Sequence, residues 1–245
     1  MNWFVKNFTN LNLYIKVVNN EPIIILLYVD DFFNTGVEGK IQECKNMLAI
    51  EFEMKDLGLM YYYLGLKVWH KPREMYLGQG KYIIKILQIF GVMDSKPLTT
   101  PMIINLKNLR SSDSSLIDPT SYRNLLISLM YLVNTRVDIC FDVNILAQFQ
   151  SEPCHDHWIV FIHILSYLCC IIHKCLMYDG KEVKFTSFTN LDWGGSETDG
   201  RSTIGGCFSL GSITISWMSR KQDPIALSSV KSVYVVACEV GKEFI

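Results

Sequence analysis

The amino-acid sequence predicts a fold of the α+β class, with strands and helices in separate parts of the chain. Short apolar or alternating runs near the N-terminus have the length and period of strands. The middle of the chain carries apolar residues at helical spacing, and the last part returns to strand-like runs followed by one helix. The chain has 245 residues, of which 49% are hydrophobic, so it can bury a sizeable core.

The first predicted elements surround a pair of aspartates. Residues 23–29 form a continuous apolar run, too short for a typical helix, and predict a buried strand. Asp30 and Asp31 end this run before two phenylalanines, which predicts that both aspartates lie at a tight hairpin. Residues 40–52 have the spacing of a helix, whereas residues 62–68 alternate with the period of a single strand.

The middle of the chain is predicted to be helical. Residues 82–90 form a short apolar helix that Gly91 ends, and the polar, serine-rich residues 105–121 form a linker. Asp118 and Pro119 open the next helix because they supply a capping oxygen and a preset backbone angle. The residues predicted to share one face of that helix are Tyr122, Leu125, Leu126, Leu129 and Leu132.

The last elements follow from changes in the apolar period. Helical segments are predicted around residues 139–149 and 158–170, strands at 183–189, 206–210 and 213–219, and a helix from Ser229 onward. Residues 158–172 are the longest apolar stretch, but they are shorter than the about 20 residues that span a bilayer. They predict a buried core helix.

Composition limits the classes of function. The net charge of −1 gives no protein-wide basic field, so contacts to nucleic acid must come from local lysines and arginines.

The eight cysteines form no CxxC pair, which favours free thiols in a reducing compartment. The most ligand-like segment is Cys-His-Asp-His at 154–157, but no second cluster completes a zinc site, and the segment is interpreted as a polar helix start before Trp158. No signal peptide is recognised, and we expect an intracellular protein, cytoplasmic or nuclear, with no membrane partner.

The adjacent carboxylates of Asp30 and Asp31 are the first candidate for chemistry. Two-metal nucleotidyl transfer needs several carboxylates that converge on Mg²⁺ ions about 3.5–4 Å apart. Adjacent residues of a regular strand point to opposite faces, so only a turn lets both approach one cation. Aspartates are also common in ordinary turns, and the pair alone favours that simpler interpretation.

The sequence around this pair resembles copia-type reverse transcriptases of retrotransposon Pol polyproteins, in blocks that keep the order of the family. The resemblance covers the chain from about Leu11 to its end. The blocks are Leu-Leu-Tyr-Val-Asp-Asp at 26–31, Glu-Phe-Glu-Met-Lys-Asp-Leu-Gly at 51–58, Tyr-Leu-Gly at 63–65, Gln-Gly-Lys-Tyr-Ile at 79–83, Lys-Pro-Leu-Thr-Thr-Pro-Met at 96–102, Asp-Pro-Thr-Ser-Tyr-Arg at 118–123, Ser-Leu-Met-Tyr-Leu at 128–132 and Thr-Arg-Val-Asp-Ile at 135–139.

The resemblance implies roles for particular residues. Asp30 would be a catalytic Mg²⁺ ligand of the polymerase palm, and Asp31 its less critical neighbour. Leu64 and Gly65 would form the primer grip. Lys81 and Lys85, in the thumb, would meet phosphates of an RNA or DNA template-primer, although a solvated helix face explains these two lysines equally well. The family also uses another metal-binding aspartate from an upstream palm strand, and residues 1–29 contain none, so we expect the polymerase site to be broken.

The C-terminal part resembles the start of a copia-type RNase H. The matching blocks are Phe-Thr-Asn-Leu-Asp-Trp-Gly-Gly at 188–195, Asp-Gly-Arg-Ser-Thr at 199–203, Ile-Ser-Trp-Met-Ser-Arg-Lys-Gln at 215–222 and Ala-Leu-Ser-Ser at 226–229. By this resemblance the strand acid of the family falls at Asn190 and its helix glutamate at Val233, beside Lys231. Both catalytic positions are therefore expected to be lost, and Asp192 remains only as a weak candidate metal ligand.

Trp193 and Trp217 could stack on bases, but tryptophans beside Gly or Ser in strands are more often core residues, and core packing is the favoured interpretation.

The resemblance predicts three parts: a partial palm and start of the thumb at 1–104, a linker and helical thumb or connection region at 105–180, and a truncated RNase H-like sheet of three strands with one helix at 181–245. The predicted function is a fragment of a retrotransposon reverse transcriptase with RNase H, inactive on its own. The alternatives are a remnant that binds nucleic acid or protein, and an enzyme completed by other Pol-derived chains.

Overall fold

The computed structural model describes residues 4–102, 115–180, 184–193, 200–223 and 228–242. The chain forms two compact units, Met1–Leu59 and Met60–Ile245. The fold is mixed α and β, with three antiparallel sheets, as the α+β prediction requires. Most of the predicted linker at 105–121 lies outside the described residues, and the three predicted domain boundaries remain predictions.

The first unit is a four-stranded meander followed by a helix. Its strands lie in the order in which they occur in the chain, because each is joined to the next by a short turn. The elements are β1 (Val5–Lys6), β2 (Leu13–Val18), β3 (Glu21–Tyr28), β4 (Asp31–Thr35) and α1 (Glu38–Glu51).

The predicted strand at 23–29 and the predicted helix at 40–52 are confirmed as β3 and α1. The prediction that the strand is buried on both faces is wrong. Ile23 and Ile25 are buried, whereas Leu26 and Tyr28 are exposed, so the side chains alternate between a covered and an open face. A run of apolar residues alone does not distinguish these two cases.

The second unit begins with another antiparallel meander. Its sheet contains β5 (Tyr62–Tyr63), β6 (Leu66–Lys71), β7 (Glu74–Gly78) and β8 (Leu176–Asp179), and β8 joins the edge from about a hundred residues further along the chain. The prediction of one strand over 62–68 is wrong. Tyr63 pairs with Leu66, which makes Leu64 and Gly65 the turn of a hairpin between β5 and β6.

Helices form the main hydrophobic core of this unit. The five residues predicted to share a face of the third helix are all buried, as predicted. The core helices are α2 (Gly80–Ile89), α3 (Pro119–Val133), α4 (Cys140–Ala147) and α5 (His155–Cys170), with a 3₁₀ turn at Val137–Ile139. These bounds confirm the predicted helices at 82–90, 139–149 and 158–170.

Local capping explains where α3 and α5 begin. Asp118 accepts hydrogen bonds from the backbone N–H groups of Thr120 and Ser121, which satisfies two free donors of α3. At the start of α5, His157 Nδ1 accepts from the backbone N–H of Cys154 at 3.0 Å. The interpretation of Cys154 and His157 as a helix start is therefore confirmed. Across the part of the chain that the structure describes, no helix is long and apolar enough to cross a membrane.

The C-terminal part of the second unit is the predicted three-stranded sheet with one helix. The sheet order is β11-β10-β9, formed from β9 (Phe185–Asp192), β10 (Thr203–Leu210) and β11 (Ile213–Lys221), and α6 (Ser229–Lys242) follows. A second core joins α6 to one face of this sheet through Ile204, Phe208, Val236 and Val240. Trp217 is half-buried and donates from Nε1 to the carbonyl of Val133 at 2.9 Å, which confirms a packing role. The core-packing interpretation is wrong for Trp193, which is 55% exposed.

Candidate functional site

The two adjacent aspartates lie at the tip of the hairpin between β3 and β4. Tyr28 pairs with Asp31, which leaves Val29 and Asp30 as the two turn residues. Val29 has a φ of +51°, a left-handed conformation that β-branched residues rarely adopt. The predicted position of the aspartates at a hairpin tip is confirmed.

Both carboxylates of the hairpin are exposed to solvent. A turn lets neighbouring carboxylates approach one cation, and Mg²⁺ is commonly held by one or two carboxylates together with waters and substrate phosphates. Asp30 and Asp31 fit such a partial ligand set. Within the described residues, no group of three or more His, Cys, Asp or Glu side chains is arranged to hold a metal ion.

The turn of the next hairpin is the predicted primer grip. Leu64 and Gly65 have φ values of +46° and +82°, the signs required by a type I′ turn. The phenol of Tyr131 donates a hydrogen bond to the carbonyl of Leu64, and its ring lies 3.6 Å from where a Cβ of Gly65 would stand. The candidate grip is therefore a turn supported by α3.

The predicted thumb lysines lie one helical turn apart on α2. Lys81 and Lys85 are both exposed, as residues at positions i and i+4 of one helix face. The Nζ atom of Lys81 lies 5.2 Å from the centre of the Tyr62 ring, which gives this lysine a cation–π partner on the neighbouring sheet. The arrangement joins α2 to the hairpin that carries the candidate grip.

A buried polar contact behind this region was not predicted. Gln79 precedes α2 and is buried, and its Oε1 accepts from the Thr135 hydroxyl at 2.5 Å. Its Nε2 donates to the carbonyl of Tyr131 at 3.4 Å. Gln79 thus links the start of α2 to the end of α3. Its place beside Gly80 and Lys81 in a family block was the only sequence signal that could have pointed to it.

A second unpredicted feature is a charged group where the 3₁₀ turn at Val137–Ile139 meets α5. Arg136 is buried and forms a bidentate ion pair with Asp138, with distances of 2.9 and 2.5 Å. Burial works to raise the pKa of Asp138, but hydrogen bonds from Arg136 and Tyr167 outweigh it and hold the pKa below its ordinary value. Burial, with a smaller effect of the Asp138 charge, raises the pKa of Asp142 to about 7.

The expected RNase H positions lie on β9 and on α6. Leu191 packs against the core that α6 covers, so strand alternation directs Asn190 and Asp192 to the opposite face of the sheet. Val233, on α6, is 58% exposed. The expectation that Asn190 and Val233 stand together as a lost metal-binding pair, with Asp192 as the alternative strand ligand, stays a prediction.

Comparisons with known proteins agree with the motifs. The family described as reverse transcriptase (RNA-dependent DNA polymerase) matches residues 2–104. The Pol polyprotein from transposon TNT 1-94 of Nicotiana tabacum is 33% identical over 99% of this chain, and that from transposon RE1 of Arabidopsis thaliana is 33% identical over 98%. An uncharacterized mitochondrial protein of Arabidopsis thaliana is 34% identical over 86% of this chain and 88% of its own length. The chain belongs to the copia-type retrotransposon Pol family.

The copia-type chain is much shorter than the polyproteins that it matches. It spans 19% of the TNT 1-94 polyprotein and 16% of the RE1 polyprotein. No solved structure matches it. Within the copia-type reverse transcriptase region, residues 2–104, lie the aspartate hairpin, the Leu64–Gly65 turn and the lysines of α2.

Proposed function

We propose that this chain is a part of a copia-type reverse transcriptase that contributes one side of the polymerase site and contacts the template-primer. The observation that carries the proposal is the tight hairpin that presents Asp30 and Asp31 within the reverse transcriptase region. Adjacent carboxylates at an exposed turn suit a cation that is also held by the phosphates of a substrate.

In this proposal Asp30 is a ligand of Mg²⁺ and Asp31 its neighbour. The ion, when bound, would stabilise the negative charge that develops on the transferred phosphate. The Leu64–Gly65 turn holds the primer strand, because its backbone is fixed by Tyr131 and Gly65 itself carries no side chain. Lys81 and Lys85 bind phosphates of a template-primer.

We propose further that the chain alone does not polymerise. Phosphoryl transfer depends on positioning and on charge stabilisation by two metals. The strands β1 to β3 that lead to the hairpin carry no aspartate, so a further acid would have to come from another segment or chain. In the RNase H-like part we propose that Asn190 and Val233 stand where the family has acids, which leaves that part without cleavage activity.

The test is an assay of binding and primer extension with the purified chain. A fluorescent oligo(dT) primer on a poly(rA) template is mixed with the chain, Mg²⁺ and dTTP. We expect binding that weakens with salt and no extension. Template-dependent extension that is lost in Asp30→Ala would overturn the proposed inactivity, whereas an absence of binding at low salt would overturn the proposed contact with the template-primer.

A further inference from the structure

One face of the sheet formed by β5 to β8, whose side chains are exposed or half-buried, carries lysines and aromatic rings in alternation. Val68 is fully buried, so the odd-numbered residues of β6, Lys67, Trp69 and Lys71, point to the other face. Tyr62 pairs with Lys67, and Trp69 pairs with Tyr76, which places these two tyrosines on the same face.

Each aromatic ring of this face lies beneath an ammonium group. Lys67 Nζ is 4.6 Å from the centre of the Trp69 ring, and Lys71 Nζ is 4.9 Å from that of Tyr76. Lys81, from α2, lies over Tyr62. We define the aromatic–lysine stripe as Tyr62, Lys67, Trp69, Lys71, Tyr76 and Lys81. It is continuous because its members on the sheet are cross-strand partners or lie two residues apart on one strand, and Lys81 joins them over the Tyr62 ring.

Two contacts fix the orientation of the rings in the stripe. A Cβ on Gly78 would lie 3.3 Å from the Trp69 ring, so the indole lies directly over bare backbone. The phenol of Tyr76 donates to Glu74 at 2.6 Å, and this hydrogen bond raises the pKa of Tyr76. Rings that are already oriented lose little conformational entropy when a planar group stacks on them.

We propose that the aromatic–lysine stripe binds single-stranded nucleic acid by stacking bases on Tyr62, Trp69 and Tyr76. An entering base takes the place of the ammonium over a ring, and the displaced lysine moves to the adjacent phosphate. Lysines beside stacking aromatics match the two features of a single strand, its unpaired bases and its charged backbone.

Acidic residues mark one end of the stripe. Glu74 pairs with Lys71 in β6 and with Asp179 in β8, so the carboxylates of this face lie at the edge away from Tyr62. The other end, at Tyr62 and Lys81, adjoins the Leu64–Gly65 turn. The inference rests on the proposed contact with a template-primer and adds a path for an unpaired strand beyond it.

The test measures the anisotropy of fluorescein-labelled oligo(dT) of twenty nucleotides with the full chain. Trp69→Ala and Tyr76→Ala should each weaken binding about tenfold, because each removes a stacking surface. Trp69→Phe should stay within about threefold of wild type, since an aromatic face remains. Lys67→Gln should reduce the slope of log affinity against log salt by about 0.7, the expected change for one phosphate contact to a single strand.

A matched control is available in the first unit, where Lys6 lies over Tyr14 at 5.9 Å. Tyr14→Ala removes a similar Lys–Tyr pair and should leave the affinity unchanged. Circular dichroism melts of all variants show whether they remain folded. An unlabelled duplex of the same length should compete poorly with the labelled strand, because its bases are already stacked.

The outcomes separate this inference from the function on which it rests. If the wild-type chain binds the oligonucleotide and folded Trp69→Ala and Tyr76→Ala bind it equally well, the stripe is only a stabilising surface and the inference is overturned. Equal competition by the duplex also overturns it. If the wild type binds neither the oligonucleotide nor a primed template, the proposed function itself fails.

Discussion

Tyr131 of α3 donates a hydrogen bond from its phenol to the carbonyl of Leu64, at the tip of the hairpin between β5 and β6. The same ring meets Tyr82 of α2 edge to face, with 4.9 Å between ring centres. One side chain of the helical core therefore supports both the candidate primer grip and the helix that carries the candidate phosphate-binding lysines.

The first prediction is that Tyr131→Phe loosens the turn without unfolding the core. The change removes one hydrogen bond and keeps the ring, so it should cost about 1 kcal/mol. Amide exchange measured by mass spectrometry should become faster in peptides that contain Leu64 and Gly65. Tyr234→Phe, at a position 71% exposed, is the control and should change nothing. Unchanged exchange at the turn in Tyr131→Phe would contradict the supporting role.

The second prediction concerns strain at Val29. This residue has a φ of +51° and is 79% exposed, so no packing compensates for its left-handed backbone. Val29→Gly should slow amide exchange in the hairpin by an amount equivalent to about 1 kcal/mol, since glycine adopts this region without steric cost. Val17→Gly, at an exposed position within β2, should have the opposite effect, because glycine weakens a regular strand. A loss of stability in both variants would show that the turn is not strained.

Elements whose apolar residues repeat with a clear helical or strand period can be predicted from the sequence. Where two different structures would give the same apolar period, the sequence does not distinguish them. The buried face of α3 follows from apolar spacing alone, from Tyr122 to Leu132. The alternation over 62–68 is equally compatible with one strand and with a hairpin whose turn takes two residues. The glycine at 65 was the available signal for a turn, because I′ turns require positive φ at both central positions.

Other features depend on contacts between distant segments and have no local signal. The strand β8 forms only because β7 offers an open edge, and its pairing of Leu176 with Leu77 cannot be predicted from residues 176–179. For the candidate site, the sequence predicts the hairpin that carries Asp30 but not the Gln79 contact behind α2, which depends on Thr135 of another segment. The face on which Asn190 lies relative to α6 likewise depends on which side of the sheet α6 covers.

The third prediction is that restoring acids in the part that we propose to be RNase H-like does not restore cleavage. Asn190→Asp, alone or with Val233→Glu, should leave an RNA–DNA hybrid uncut in the presence of Mg²⁺, because strand alternation directs residue 190 away from the face that α6 covers. A gel assay with a labelled RNA strand measures this. Cleavage by the double variant that is absent from the single variants would show that the two carboxylates meet and that the geometry described for Asn190 is wrong.

The fourth prediction separates the two lysines of α2. Lys85→Gln should weaken binding to a primed template mainly at low salt, as expected for one phosphate contact. Lys81→Gln should do the same and should also weaken binding to single-stranded oligo(dT), since Lys81 lies over Tyr62. Fluorescence titrations over a range of salt measure both effects, with Lys55→Gln, an exposed lysine of the first unit, as the control. Equal effects of all three changes would mean that the response reports only net charge.

The fifth prediction concerns the pH dependence of stability at Asp142. This residue is 1% exposed, and its Oδ1 has no hydrogen-bond partner among the described residues. Burial raises the pKa of Asp142 from 3.8 in the unfolded chain to about 7 in the folded chain. At a pH between these two values the carboxyl is therefore protonated in the folded state and ionised in the unfolded state. The free energy of unfolding should therefore fall as pH rises from 4 to beyond 7, by about 4 kcal/mol at most.

Asp142→Asn tests this directly, because the amide is neutral at every pH and has the shape of the protonated acid. Urea unfolding should show a variant as stable as wild type near pH 5 and more stable near pH 8. Asp138→Asn is the matched control, and it should change the free energy of unfolding in the opposite direction. It leaves Arg136 buried without its carboxylate and should lower that free energy by about 3 kcal/mol at neutral pH. Because the pKa of Asp138 is held low, that loss should shrink as pH falls toward 3. Parallel pH profiles of wild type and Asp142→Asn would show that Asp142 does not carry its proton into the neutral range.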